Sequence, residues 1–167
     1  MKRLTDDYRG AASTLKQALA LYRDVGNRRG EAETLNNLGA VQLTTRDYPS
    51  AITSLEQALA LYRNLGHRLG EAESLNNLGQ ALLASGGLDD ACVNYVQALG
   101  IARAIGTPLE EVRALEGIGQ CSLQHGQPGD AAARLGKALA LYRRLTSPDA
   151  RRVETTLVHQ GLHGSQE

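Results

Sequence analysis

The stretch Leu35-Asn-Asn-Leu-Gly39 recurs 40 residues later as Leu75-Asn-Asn-Leu-Gly79, and more loosely as Leu115-Glu-Gly-Ile-Gly119. A second stretch, Gln-Ala-Leu-Ala-Leu-Tyr-Arg, begins at residue 17 and again at residue 57. Residues 17–39 and 57–79 are identical at 18 of 23 positions, without an insertion. A fixed period in this range is the signature of a repeat architecture. The chain of 167 residues is therefore predicted to be a stack of similar units that arose by duplication.

Each 40-residue period contains two stretches with the spacing of an amphipathic helix. Apolar or small residues recur three and four positions apart within 31–45 and again within 48–65. Gly26, Gly66 and Gly106 follow the second stretch, where a left-handed residue commonly ends a helix. Leu and Ala supply 50 residues, and Phe and Trp are absent, so the composition favours helix over sheet. We predict an all-α protein of eight helices, each antiparallel to its neighbours.

The apolar positions also form a recognisable motif. It reads Leu35, Leu38, Gly39, Ala51, Leu55 and Ala58, and it recurs within 75–98 and 115–138. This motif resembles the tetratricopeptide repeat (TPR), although that repeat has a period of about 34 residues. The longer period is similar to that of the long-helix subfamily of spindle-orientation adaptors, kinesin light chains and bacterial signalling ATPase and transcription regulators. The resemblance implies an α-solenoid, a right-handed superhelical stack of antiparallel helix pairs whose first helices line a concave, protein-binding groove.

The repeat also predicts the organisation of the chain. A shift of 40 residues aligns Met1 with Val41, so we expect Met1–Thr5 to be the last turn of a first helix, with its partner at Asp7–Val25. The predicted units are a half repeat at 1–26, repeats at 27–66, 67–106 and 107–146, a degenerate capping helix at 147–160 and a tail at 161–167. Repeat 107–146 opens on Thr107-Pro-Leu-Glu110, which predicts a capping box. The incomplete ends suggest a fragment of a larger signalling or regulatory protein.

Composition excludes several classes of function. Lys and Arg total 18 and Asp and Glu total 18, so the chain lacks the basic footprint of a nucleic-acid-binding protein. No apolar run is long enough to span a membrane. Two cysteines do not make a disulfide framework, so we expect a cytoplasmic protein. No set of nucleophile and base and no convincing metal-ligand pattern is present, so we expect neither an enzyme nor a bound metal or cofactor.

A glycine recurs in the middle of each first helix, where it costs about 1 kcal/mol relative to Ala. A close approach of the partner helix would offset this cost. We expect that approach to occur at the alanines twelve residues after each glycine. The expected pairs are Gly39 with Ala51, Gly79 with Ala91 and Gly119 with Ala131.

A polar stripe on the first helices is the candidate binding site. Helical spacing turns it away from the partner helix and toward the groove. Its members are Glu33, Asn36, Asn37, Glu73, Asn76, Asn77, Gln80, Arg113, Glu116 and Gln120. Asparagine is unfavourable within helices, yet its amide offers both a donor and an acceptor, which suits binding to the backbone of an extended peptide. The alternative for Asn37 and Asn77 is a structural bond to the neighbouring loop.

Two functions remain open at this stage. The first is a scaffold that binds a protein or an extended peptide, and the three carboxylates at Glu33, Glu73 and Glu116 favour a basic ligand. The second is a structural spacer or self-association module without a specific groove ligand. The helix at Asp7–Val25 lacks most of a partner helix, so its apolar face is expected to support a homodimer.

Overall fold

The computed structural model describes the backbone of residues 2–162 and the side chains of residues 7–162. Met1 and most of the predicted tail, residues 163–167, lie outside the described residues. All regular secondary structure within the described part of the chain is α-helical. The eight helices are α1 (Lys2–Asp24), α2 (Arg28–Thr44), α3 (Tyr48–Leu65), α4 (Arg68–Ser85), α5 (Leu88–Ile105), α6 (Pro108–Gln124), α7 (Pro128–Arg144) and α8 (Asp149–His159). The predicted fold class and number of helices are confirmed.

Consecutive helices pack against each other as antiparallel neighbours. The pairs are α2 with α3, α4 with α5, and α6 with α7, with α1 and α8 at the two ends of the stack. The first helices also contact one another, α2 with α4 and α4 with α6, whereas the second helices make fewer such contacts. The first helices therefore lie on the inner side of the curved stack. The surface that α2, α4 and α6 form is called the concave surface below.

Left-handed residues end the helices where the repeat predicts. Between repeats they are Gly26, Gly66 and Gly106, with φ of 68°, 64° and 67°. Within the pairs they are Arg46, Gly86 and Gly126, with φ of 62°, 94° and 69°. A left-handed residue cannot continue a right-handed helix, so each of these positions forces a reversal of the chain.

The prediction of a separate first helix at the N-terminus is wrong. Helix α1 runs without a break through Lys2–Thr5, and Asp6 is helical although it aligns with the left-handed Arg46. A helical hairpin is held closed by contacts along two full helices. Four residues supply only about one turn of such contacts, so continuation of α1 is favoured over a reversal.

The mid-helix glycines are explained by close packing, but against different residues from those predicted. A Cβ at Gly39 would lie 2.5 Å from Cγ of Leu55, and one at Gly119 would lie 2.7 Å from Cγ of Leu135. The corresponding contact of Gly79 is with the ring of Tyr95, at 2.9 Å. The contacts thus fall on larger side chains, one turn beyond the predicted alanines. Those alanines are fully buried in the same helix interfaces.

One apolar core runs through the repeats. Leu55, Leu75 and Leu135 lie in the same cluster and are at most 1% exposed. Full burial of such a side chain stabilises the fold by about 1.5–3 kcal/mol. Val153 of α8 joins this cluster, so the degenerate last helix covers the apolar end of repeat 107–146. The core thereby holds the polar stripe of the first helices in a fixed arrangement.

Candidate functional site

The ten residues of the predicted stripe divide into three groups by exposure. The exposed members are Glu33, Asn37 and Gln80. The half-buried members are Glu73, Arg113 and Gln120. The buried members are Asn36, Asn76, Asn77 and Glu116. Helical spacing correctly separated the stripe from the apolar face, but it did not distinguish open surface from the seams between first helices.

Asn36 and Asn77 form a polar seam between α2 and α4. Ser74 Oγ donates a hydrogen bond to Asn36 Oδ1 at 3.0 Å, and Asn77 Nδ2 donates to the same oxygen at 3.3 Å. Arg113 Nη2 donates in turn to Asn77 Oδ1 at 2.5 Å. These amides therefore join successive repeats, and the contacts of Asn77 are with first helices rather than with the neighbouring loop.

Asn76 forms the equivalent contact between α4 and α6. Its Nδ2 donates to the backbone carbonyl of Glu110 at 3.1 Å and to Glu110 Oε2 at 2.8 Å. Both partners are acceptors, so the orientation of the amide is fixed. The side chain is 1% exposed, and its Oδ1 has no hydrogen-bond partner among residues 7–162. Such an orphaned buried acceptor requires a physical explanation.

The capping box predicted at Thr107 and Glu110 is wrong. Thr107 makes no side-chain capping bond, and the Glu110 carboxylate bonds to Asn76 and Arg113 instead of the helix start. Space for this carboxylate comes from a paired change in the repeat. Glu110 stands where Gly70 contacts Tyr62, and Ala102 stands where that tyrosine lies.

Glu116 connects the third repeat to the last helix. Both of its carboxylate oxygens accept from Arg152 of α8, and the Tyr142 hydroxyl donates to Oε2 at 3.1 Å. Gln120 Nε2 donates to Oε1 at 3.2 Å. Burial, reinforced by the Glu116 charge, raises the pKa of Tyr142 to about 12, so its hydroxyl remains a donor at neutral pH. The charge of Glu116 is thus compensated within the chain.

A cavity of about 490 Å³ opens on the concave surface between α4, α6 and α8. This volume is within the range of about 300–1,000 Å³ that is typical of ligand pockets. It is lined by Asn76, Gln80, Tyr95, Leu109, Arg113, Glu116, Gly117, Gln120, Tyr142, Asp149 and Arg152. Five of the predicted stripe residues therefore meet at one cavity. Glu33, Asn36, Asn37, Glu73 and Asn77 lie outside it.

Several residues of the cavity lie outside the ten predicted for the stripe. Tyr95 falls at an apolar position of the repeat motif, although it is a departure from the leucine found at residues 55 and 135. Gly117 departs in the same way from the asparagine found at residues 37 and 77. These two departures from the repeat are the features of the sequence that could have indicated the cavity. Asp149 and Arg152 gave no such signal, because their helix has lost the motif.

A second, acidic region lies on the concave surface nearer the N-terminus. Arg29 Nε donates to Glu33 at 2.8 Å, within one turn of α2. Burial raises the pKa of Glu73, with a further contribution from the nearby charge of Glu110, and Arg113 partly offsets both. The charge of Glu33 also acts on Glu73 in the same direction. Bringing a cation to this region would relieve the repulsion between the carboxylates.

The apolar face of α1 is only partly covered. Leu19 is 8% exposed and packs against Leu35 and Tyr62 of the first repeat. Leu21 is 65% exposed, whereas Ile101, which occupies the corresponding position in α5, is 7% exposed. The end of the stack therefore exposes an apolar position that is buried at Ile101 and half-buried at Leu61 and Leu141.

Other features of the described residues bear on function more weakly. Cys92 and Cys121 are free thiols, and burial together with the nearby Cys92 raises the pKa of Cys121 to about 12. Residues 7–162 contain no cluster of three or more side chains suited to holding a metal ion. None of the helices in the described part combines the length and apolarity that crossing a membrane demands.

Solved structures with this fold come from several kinds of protein. A Rap protein complexed with competence and sporulation factor has a TM-score of 0.83 at 18% identity over 95% of this chain and 45% of its own. The apo form of RapI has a TM-score of 0.79 at 15% identity over 93% and 44%. A putative kinesin light chain of Podospora anserina has a TM-score of 0.76 at 15% identity over 98% and 82%. This chain thus spans less than half the length of the Rap proteins.

Comparison of the sequence assigns the chain to a family more directly than the structural similarities do. No curated protein matches the chain. Residues 1–64 and 66–144 match the sequence model of the tetratricopeptide repeat, which is most of the chain. Its eight antiparallel helices and the motif glycines at close helix contacts agree with that match. The chain therefore belongs to the tetratricopeptide repeat family.

Proposed function

We propose that the chain is a binding module, without catalysis of its own, that holds an extended segment of a partner protein on its concave surface. The observation that carries the proposal is the cavity of about 490 Å³, around which five residues of the polar stripe converge. Asn37, Glu73 and Gln80 extend this polar surface along the first helices. The Rap protein solved with competence and sporulation factor lends support, because that protein of the same fold has a ligand.

The acidic region favours a basic residue in the ligand. Glu33 and Glu116 already have arginine partners within the chain, so the attraction rests mainly on Glu73. A cation near Glu73 would be screened only in part, because that carboxylate is half-buried. We therefore place the basic ligand residue over α2 and α4 rather than in the cavity.

The proposal can be tested with a displayed library of random peptides. Binders are selected on the intact chain, and their affinities are measured by fluorescence polarisation for the parent and for Glu73→Gln and Gln80→Ala. We expect an affinity about 2- to 5-fold lower for each variant. Glu56→Gln is the matched control, because Glu56 is an exposed residue of α3, and this variant should leave affinity unchanged. Selected peptides that bind all four proteins equally would contradict the proposal.

A second candidate function is self-association through α1. It is favoured by the exposure of Leu21, which is 65% against 7% for Ile101 at the corresponding position. Light scattering over a range of concentrations should reveal a dimer that Leu21→Glu abolishes. Val96→Glu introduces the same charge at a residue of α5 that is 57% exposed, and it should leave the dimer intact. A monomer at every concentration would refute this candidate.

Two observations support a wider cellular setting for the chain. The free thiols of Cys92 and Cys121 are typical of a reducing compartment, which supports a cytoplasmic location. The Rap proteins are more than twice as long as the part that this chain matches. A role as one section of a larger signalling or regulatory protein is consistent with that difference.

A further inference from the structure

The side-chain oxygens of two equivalent asparagines differ in the hydrogen bonds that they accept in successive repeats. Asn36 Oδ1 accepts from Ser74 and Asn77 of the next first helix. Asn76 occupies the same position one repeat later, but Ala114 and Gly117 stand where Ser74 and Asn77 were. Both internal donors are thereby lost. The orphaned Asn76 Oδ1 is therefore a consequence of two substitutions in the third repeat, and Asn76 is one of the residues that line the cavity.

A third departure in the same repeat shapes the cavity. Tyr95 replaces the leucine found at residue 55, and a Cβ at Gly117 would lie 2.3 Å from Tyr95 Cε1. The aromatic ring thus occupies the place where a side chain at residue 117 would begin. It packs between Gly79 and Gly117, and Tyr95 is one of the residues that line the cavity. Burial raises the pKa of Tyr95, so its hydroxyl stays protonated and remains a donor.

The charged side chains around the cavity are held in internal ion pairs. Arg152 pairs with Glu116 and Asp149 of the lining, and Arg113 pairs with the buried Glu110. An ionised ligand group would compete with these pairs for the same charged side chains. An uncharged group that both donates and accepts hydrogen bonds matches the lining better, because Gln80 and Gln120 also present neutral amides.

We propose that the cavity between α4, α6 and α8 binds an uncharged carboxamide, the side chain of a Gln or Asn residue in the bound segment. Its NH₂ group donates to Asn76 Oδ1, and its amide plane lies against the ring edge of Tyr95. The Asn77 amide makes the equivalent bond to Asn36 one repeat earlier. This assignment names the ligand group for the same concave surface, so it rests on the proposed function.

The test uses four tripeptides, Gly-Gln-Gly, Gly-Glu-Gly, Gly-Arg-Gly and Gly-Met-Gly, each acetylated at the N-terminus and closed by an N-methylamide at the C-terminus, so that only the Gln side chain carries a primary carboxamide. Each is titrated into the labelled chain, and the NMR signals of the Asn76 side-chain amide and the Gly117 backbone amide are followed. We expect saturable shifts with Gly-Gln-Gly and an affinity at least about 3-fold above that of the other three peptides. Equal affinities, or preference for the Glu or Arg peptide, would overturn the proposal.

A substitution that copies the preceding repeat tests whether Asn76 Oδ1 is the acceptor. Ala114→Ser restores the hydroxyl that Ser74 supplies to Asn36, and it should occupy Asn76 Oδ1. We expect about 2- to 10-fold weaker binding of Gly-Gln-Gly, with little change for Gly-Met-Gly. Ser74→Ala alters the other seam and should leave both affinities unchanged. If Ala114→Ser folds and binds Gly-Gln-Gly as the parent does, Asn76 is not the acceptor.

The failures of the two proposals can be told apart. Selected partner peptides that depend on Glu73 and Gln80 but not on any Gln or Asn residue would overturn the carboxamide assignment alone. Partners that ignore the concave surface would refute the proposed function, and the tripeptide titration would still report on the cavity. Because that titration uses the parent protein, its outcome does not depend on the folding of any variant.

Discussion

Tyr95 and Gly117 are fitted to each other across the interface between α5 and α6. A Cβ at residue 117 would lie within 2.3 Å of Tyr95 Cε1, a separation that no side chain tolerates. At the equivalent interface one repeat earlier, between α3 and α4, the corresponding residues are Leu55 and Asn77. The larger residue at 95 and the smaller residue at 117 therefore form one compensated change, and the cavity lies above it.

The first prediction tests this compensation. Gly117→Ala should destabilise the fold by about 1–3 kcal/mol, because the ring of Tyr95 must move within a packed interface. Adding Tyr95→Leu should remove most of that penalty, since leucine occupies this position at residues 55 and 135. Urea denaturation of both variants and of Tyr95→Leu alone measures the coupling. Additive effects would show that the two residues do not clash.

The second prediction concerns the pH dependence of the link between α1 and α2. Hydrogen bonding to Arg23 lowers the pKa of Glu31, so the folded state holds this carboxylate in its charged form. That contribution is present above the ordinary carboxyl pKa and is lost as pH falls through the lowered one. Glu31→Gln should therefore cost about 1–3 kcal/mol at pH 7 and progressively less on acidification.

The measurement for Glu31 is thermal unfolding between pH 7 and pH 3. Glu56→Gln on α3 removes one carboxylate from an exposed position and serves as the control. Its difference from the parent should stay small throughout. A difference in stability between Glu31→Gln and the parent that grows toward low pH would contradict this prediction.

The third prediction is that removing the charge of Glu73 raises the stability of the fold, whereas removing that of Glu31 lowers it. Burial raises the pKa of Glu73, so the folded state binds this proton more tightly than the unfolded chain does. The charged carboxylate consequently opposes folding once pH rises above the folded pKa. Glu73→Gln should raise stability at pH 7, by no more than about 1 kcal/mol because the residue is half-buried.

Stability and binding are expected to diverge at Glu73. The same substitution that stabilises the fold should weaken a basic ligand, which is typical of a residue retained for function. Thermal unfolding and peptide affinity measured on one preparation give both values. If Glu73→Gln destabilises the protein at pH 7, Glu73 has a structural role that its surroundings do not indicate.

The fourth prediction concerns the attachment of α8. Arg152→Met keeps most of the apolar stem but removes the guanidinium that pairs with Glu116, leaving a buried carboxylate without its main partner. We expect a loss of about 1–3 kcal/mol. Glu116→Gln in the same chain should recover part of that loss, because a neutral amide is cheaper to bury. A double-mutant cycle with no coupling energy would contradict the pairing.

The period of 40 residues was sufficient to predict the helices and their order. Helix ends at Gly26, Gly66 and Gly106 followed from local backbone preferences, which operate within a few residues and can be read directly from the sequence. The same logic failed at Lys2–Thr5, where no local signal prevents α1 from continuing. It also failed at Glu110, whose position suggested a capping role but whose partner comes from the preceding repeat.

The candidate site was only half accessible to sequence reasoning. Helical spacing brings Gln80, Arg113 and Gln120 to one face, and these residues do line the cavity. Spacing within one helix contains no information about the distance to the next first helix. Asn36 and Asn76 were therefore expected on open surface, whereas α4 and α6 cover them and use their amides as connections between repeats.

The sequence by itself determined the repeat, the helix pairs and the apolar faces, because these depend on residue spacing within a single period. Tertiary structure alone decided which polar residues the stacked helices bury, and that Asn76 Oδ1 is left without a partner among residues 7–162. Asn36 and Asn76 are identical in the sequence and occupy equivalent positions. Their side-chain oxygens differ because the next helix offers Ser74 and Asn77 to one of them, and Ala114 and Gly117 to the other.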